Sequence, residues 1–263
     1  MAVLHKRLSN RNGILVSHTG RIRPFFASLA GRFKAESART ALKPVANTSS
    51  SLMRIELNKM LKVHVGCGPH NIMDGWINVD IRPFKGIDRV VDVTKEWCWT
   101  DVDYIYGEHF IEHIHIEGIL TFLVNAGNSL KPNGVLRLST PNLTWVMKTH
   151  YRKASEANLE NIYSVLRTNR AFHGWGHCFL YDKDMLEFLM TELNFAELKF
   201  YSYGESDDPV LKDIEKHGGF NFGSDLPNTL IFEAKRGEND IAASDKLMNI
   251  LDKEFIRYVR AGH

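Results

Sequence analysis

Leu61-Lys62-Val63-His64-Val65-Gly66-Cys67-Gly68-Pro69 joins an alternating run to a pair of glycines. Apolar and polar residues alternate through Val65, and two glycines follow at once. That pattern reads as a β-strand running into a glycine turn. Glycine lets a ligand approach the backbone without a Cβ in the way. In open α/β sheets such turns sit at the carboxyl ends of the strands, where ligands bind. Alone, Gly-x-Gly is as well explained by a plain tight turn.

Outward from this turn, short apolar runs recur at Ile77–Asp80, 89–93 and 104–106, and again at 135–139. A helical period covers about 117–130, with Ile119, Leu120, Leu123 and Val124 on one face, and Lys131-Pro132-Asn133-Gly134 is read as its breaker. Later strands are expected at 198–203 and 229–234. Helices are expected over much of 143–172, from Asp182, and from 244 to 259. Strands alternating with helices imply an α/β fold with a doubly wound, mostly parallel, Rossmann-like sheet. Gly68 and Asp80 are twelve residues apart, so the first crossover must be a loop through 71–76 or a truncated helix.

The 263 residues suit one domain with appendages. Residues 1–55 carry ten Lys or Arg against one acid, Glu36, while the remainder carries 23 basic and 30 acidic residues. The expected organisation is a basic, flexible amino-terminal arm over 1–55, with a short helix near 25–33. A domain over 56–240 follows, with a helical insertion near 143–172, and a carboxyl-terminal helix over 241–263. The acidic body argues against nucleic acid as partner, since phosphate contacts need clustered Lys and Arg. No run of eighteen apolar residues is present, so a transmembrane helix is not expected. Cys67, Cys98 and Cys178 form no metal or disulfide spacing, which suits a reducing, cytoplasmic setting. The Arg- and Ser-containing arm is also compatible with organelle targeting.

Three acidic positions follow strands. Asp80 ends the second and can accept from both hydroxyls of a ribose. Asp92-Val93 ends the third, where an acid can meet an adenine amino group, or can simply begin the turn at Thr94. Glu108-His109-Phe110-Ile111-Glu112-His113 follows the fourth. Together with Leu130-Lys131-Pro132-Asn133-Gly134-Val135-Leu136-Arg137-Leu138-Ser139-Thr140-Pro141-Asn142, this order resembles the class I S-adenosylmethionine-dependent methyltransferases. It is similar to the methyltransferase type 11 group within them, over about 61–203.

The resemblance implies S-adenosylmethionine as cofactor. Gly66, Cys67 and Gly68 would line its methionine part, Asp80 would hold the ribose with Ile81 against adenine, and Asp92 and Val93 would contact adenine. Glu108 and His109 would border the methionine and the transferred methyl. The sequence departs from the pattern at Pro69-His70, where a third glycine is lacking, and in the short spacing to Asp80.

His109, Glu112 and His113 share a helical face and raise the question of a metal, but capping or packing of the fourth helix explains Glu112 and His113 better, and no metal site is assigned. His173-Gly174-Trp175-Gly176-His177-Cys178-Phe179-Leu180-Tyr181 reads as an aromatic loop on the acceptor side. His173 or His177, with His113 as the alternative, is a candidate general base, because imidazole titrates near neutral pH. The acidic run 203–209 is read as a solvated loop or a site for sugar hydroxyls. The expected reaction is methyl transfer to a hydroxyl of a glycan or a small metabolite. The rivals are a cofactor-binding module without turnover and a nicotinamide-dependent Rossmann enzyme.

Overall fold

A computed structural model of the chain describes residues 60–152, 155, 158–217 and 226–261. The expected basic arm and the short helix near 25–33 lie outside the described residues. Seven strands form one sheet: β1 (Lys62–Val65), β2 (Ile77–Asp80), β3 (Arg89–Val90), β4 (Val102–Glu108), β5 (Leu130–Pro141), β6 (Glu197–Tyr201) and β7 (Thr229–Lys235). Their order is β3-β2-β1-β4-β5-β7-β6. The pairings among β1 to β5 are parallel, and β7 runs antiparallel to both β5 and β6. The fold is therefore a Rossmann-like α/β sheet, mostly parallel, with one reversed strand.

The helices are α1 (Ile116–Ser129), α2 (Leu143–His150), α3 (Leu159–His173), α4 (Lys183–Glu192), α5 (Asp245–Leu251) and α6 (Arg257–Ala261). A π-helical stretch, Asp252–Ile256, joins the last two. Helix starts follow side-chain caps: Asn142, Asn158, Asp182 and Ser244 each accept a bond from an amide in the first turn of α2, α3, α4 and α5.

The two faces of the sheet differ in kind. Alternation along each strand puts Val63, Val65, Val79, Ile105, Leu136, Leu138, Phe232 and Ala234 into one large apolar core. Ile119, Leu120, Phe122, Leu123 and Ala126 of α1 complete it, with Leu186, Leu189 and Met190 of α4. On the other face a polar row crosses the sheet. Asn78 lies beside His64, His64 beside Tyr106, Tyr106 beside Arg137, and Arg137 beside Glu233. All five are buried.

This face is covered by irregular chain. Residues 66–76 join β1 to β2 as turns and loop, with no helix between the strands, as the short Gly68–Asp80 spacing requires. Segment 202–217 covers the row near β5 and β7. Arg137 donates to Glu215 (2.7 Å), Glu233 (2.5 Å) and the Glu205 carbonyl (2.9 Å). Tyr104 donates to Asp208 (2.8 Å) and Ser206 to Glu233 (2.7 Å). The acidic run 203–209 thus docks on the sheet through Ser206, Asp208 and the Glu205 carbonyl, while Tyr203, Glu205, Asp207 and Pro209 stay exposed to solvent. These bonds give the buried Arg137 guanidinium and Glu233 carboxylate the partners that burial requires.

One expected boundary is corrected. Lys131-Pro132-Asn133-Gly134 follows the end of α1 at Ser129, as a helix breaker should, but the strand expected from 135 already begins at Leu130. Its register against β4 shifts between Val102 and Tyr104. Asn133 takes positive φ and its amide donates to the Arg236 carbonyl (3.0 Å). Leu130 pairs with Val102 and Val135 with Tyr104 and Lys235, while 131–134 pair with neither neighbouring strand and bulge out of the ladder, tied back by backbone bonds to Arg236.

Candidate active site

The parallel strands end at one edge, and two adjoining cavities open there. The first, about 580 Å³, is lined by Gly66, Asp80, Ile81, Asp92, Val93, Thr94, His109, Phe110, His113 and Trp175, among others. The second, about 680 Å³, is lined by Gly66, Cys67, Gly68, Asn71, Glu108, His109, Glu112, His113, Trp145, His150, Trp175, His177 and His217, among others. Gly66, His109, His113 and Trp175 belong to both. Both volumes fall in the range of small-molecule sites.

The glycine turn shapes the junction. Gly66 and Gly68 have φ of 62° and 59°, a region that L side chains rarely adopt. A Cβ on Gly66 would stand 2.3 Å from Phe110 Cδ2, whereas one on Gly68 would meet nothing within 4 Å. Gly66 therefore lets the turn close onto Phe110, and Gly68 leaves open space above the backbone. The turn is latched to β2, since the Gly68 amide donates to Asp80 Oδ2 (3.0 Å). Asp80 Oδ1 accepts from the Arg82 amide (3.0 Å). Each carboxylate oxygen has two acceptor sites, so these bonds leave acceptor capacity at the cavity wall.

Asp92 also faces the first cavity, but its carboxylate is engaged. Lys95 (2.7 Å), with the Thr94 hydroxyl (2.6 Å) and amide (3.1 Å), holds it ionised and its pKa low. Both readings of Asp92 are visible here, as a turn residue and as a cavity wall.

Glu108 is buried at the end of β4. Its carboxylate accepts from Asn71 (3.1 Å) and from the amides of Lys216 (2.9 and 3.1 Å) and His217 (2.9 Å). It anchors the end of segment 202–217 beside the second cavity. His109 adopts φ 46°, a strained conformation of the kind that clusters at functional sites. Burial opposes charge on its ring, but the Glu112 carboxylate, 2.9 Å from Nδ1, and the charge of Glu108 outweigh it and raise its pKa.

The aromatic loop divides. Gly174 caps α3 one residue beyond His173, so His173 is the last residue of that helix rather than part of the loop. It is exposed and lines neither cavity. His177 lines the second cavity, and its Nδ1 lies 2.7 Å from the Ala171 carbonyl. Trp175, 72% exposed with φ 56°, stands at the mouth of both cavities. Among the described residues, Glu112, His113 and His177 bring a carboxylate oxygen and two imidazole nitrogens within 4.8 Å of one another. Burial pushes the Cys67 thiol up to about 11 and raises that of Cys178, so neither is an activated nucleophile.

Several lining residues escaped the sequence reading: Asn71, Phe110, Trp145, His150 and His217. Lys216-His217-Gly218-Gly219 carried the same glycine-flanked histidine signal as 173–177. The others carry no local mark.

No protein-family model matches the chain, and no curated protein matches it. Among solved structures, the chain is similar to a SAM-dependent methyltransferase from Archaeoglobus fulgidus, with 16% identity over 72% of this chain and 92% of that one and a TM-score of 0.41. An S-adenosylmethionine-dependent methyltransferase from Mesorhizobium loti aligns with 15% identity over 72% and 97%, with a TM-score of 0.42. The N-methyltransferase NodS from Bradyrhizobium japonicum, in complex with S-adenosyl-L-homocysteine, aligns with 13% identity over 72% and 85%, with a TM-score of 0.39.

Proposed function

We propose that the protein binds S-adenosylmethionine across the two cavities and transfers its methyl group to an acceptor hydroxyl of a glycan or small metabolite. One observation carries this reading. The glycine turn at Gly66–Gly68 and the strand-end carboxylate Asp80 are hydrogen-bonded to each other at the junction of the two cavities. A nucleoside in the first cavity would meet Asp80 at its ribose, with Ile81 and Val93 as apolar walls and Asp92 at the far end. The amino-acid part would pass the open backbone at Gly68 toward Glu108, whose charge suits an ammonium group.

When bound, the cofactor supplies an already activated methyl on a sulfonium, so the chain mainly aligns the partners. Phe110 and the positive-φ His109 fix the wall between the two cavities. Trp145 and Trp175 offer flat apolar faces in the second, as an acceptor with ring C–H groups would use. His113 and His177 hold the acceptor hydroxyl and assist the departure of its proton. No helix among the described residues is long and apolar enough to cross a membrane. The three free thiols suit a reducing, cytoplasmic setting.

Calorimetry tests the reading. The purified protein should bind S-adenosylmethionine or S-adenosylhomocysteine and not NAD. Equal or tighter binding of NAD would refute it, and would favour a nicotinamide enzyme. Binding without turnover against a panel of hydroxylated acceptors would favour a cofactor-binding module.

A further inference from the structure

We propose that Glu112, His113 and His177 form a binding site for a divalent transition ion of the zinc class, with an open position facing the second cavity. Their ligand atoms lie within 4.8 Å of one another, and Glu112 Oε1 is 3.9 Å from His113 Nε2. In a tetrahedral site with bonds of about 2.0–2.2 Å, ligand atoms stand roughly 3.3 Å apart. The imidazoles therefore close by about an ångström on binding.

Two segments distant in sequence supply the donors, and backbone bonds staple them together. The Glu112 carbonyl accepts from the amides of Cys178 (2.7 Å) and Phe179 (3.2 Å). The Cys178 thiol adds a bond to the His113 carbonyl (3.3 Å). The convergence is thus built into the fold.

Outer contacts orient the donors as metal sites require. The Ala171 carbonyl can only accept, so His177 Nδ1 carries the proton and Nε2 keeps its lone pair. Glu112, wholly buried, is held at Oε1 by His109 (2.9 Å) and at Oε2 by Thr140 (3.2 Å). A buried carboxylate needs a cation or several donors. Thr140 and His109 each make one contact with it, and the imidazole nitrogens of His113 and His177 stand within 4.8 Å of the same carboxylate. Two imidazoles and one carboxylate, with no thiolate, select zinc-class ions over magnesium. All three residues line the second cavity, so the remaining position opens where an acceptor or water enters. With an ion bound, the ring nitrogens would be spent on it, so the ion would replace His113 and His177 in holding the acceptor hydroxyl and would lower that hydroxyl's pKa.

The test uses chelator-stripped full chain and no nucleoside, so it is independent of cofactor binding. Titration with Zn²⁺ should give one equivalent per chain, with Mg²⁺ at least 100-fold weaker. His113→Ala and His177→Ala should each weaken zinc binding by more than about 100-fold, beyond the range seen on losing outer-shell partners. His173→Ala should not. With Co²⁺ in place of zinc, the visible absorption band should change in both ligand variants. His177→Phe keeps a ring in place should the alanine variant misfold. Failure to bind one equivalent of zinc, equal affinity for magnesium, or unchanged affinity in both folded ligand variants would overturn the proposal.

Discussion

Replacing Asp80 by alanine separates two jobs that the structure gives one carboxylate. Asp80 Oδ2 holds the Gly68 amide and Oδ1 holds the Arg82 amide, both at 3.0 Å. The Arg82 guanidinium at 3.5 Å is largely exposed and adds little. Each oxygen has a second acceptor site, so two ribose hydroxyls can bind without displacing either amide. Hydrogen bonds to a charged group contribute about 1.5–3 kcal/mol. Loss of both, allowing for incomplete additivity, should cost about 3 kcal/mol, or roughly 150-fold in dissociation constant. Asp80→Asn keeps one acceptor oxygen and should lose about tenfold by the same arithmetic. The alanine variant also frees two amides, which should lower stability by about 1–3 kcal/mol. The assay is calorimetry with S-adenosylhomocysteine on the three proteins, with urea unfolding alongside. An Asp80→Ala protein that unfolds earlier yet binds within twofold of wild type would show that Asp80 is a latch for the turn and not a ligand group.

Three further outcomes follow from the same geometry. Gly66→Ala must place a Cβ 2.3 Å from Phe110 at a φ of 62°; it should lose at least about 1–2 kcal/mol from the backbone alone and most cofactor affinity, and an unshifted melting temperature would refute this. Arg137→Met leaves Glu215 and Glu233 buried without their cation, so its denaturant midpoint should report a loss of about 3–5 kcal/mol; a loss under 1 kcal/mol would mean that water or relaxation replaces the guanidinium. His64 is buried and its pKa falls from 6.5 to about 4, so between those values the unfolded chain binds more protons than the folded one. Its contribution is complete above pH 6.5 and declines as pH falls toward 4, by about 3 kcal/mol. Urea midpoints across this window should be flatter in His64→Gln than in wild type, and parallel curves would refute the assignment.

The site's local parts were legible in the sequence because each lies within one strand and the turn after it. Lys62–Val65 alternates, the glycines follow at once, and twelve residues to Asp80 left no room for a full helix. What the sequence could not show depends on pairing between distant strands. The row from Asn78 through His64, Tyr106 and Arg137 to Glu233 draws one residue from each of five strands, and no local period marks it. Glu108 is fixed by amides 108 and 109 residues further on. His173 and His177 look equivalent in sequence, but Gly174 ends α3 between them and sends only the second into the cavity. At Leu130–Gly134 the turn preference of Pro132-Asn133-Gly134 persists as an excursion within β5, between Leu130 paired with β4 and Val135 paired with β4 and β7.

A crystal structure of the protein with S-adenosylhomocysteine decides whether Asp80 is a ribose ligand. Adenosine should lie in the cavity walled by Ile81 and Val93, with both ribose hydroxyls within hydrogen-bond distance of Asp80 and the homocysteine part running past Gly68 toward Glu108. Ligand bound elsewhere, or in this cavity with its ribose out of reach of Asp80, would contradict that role.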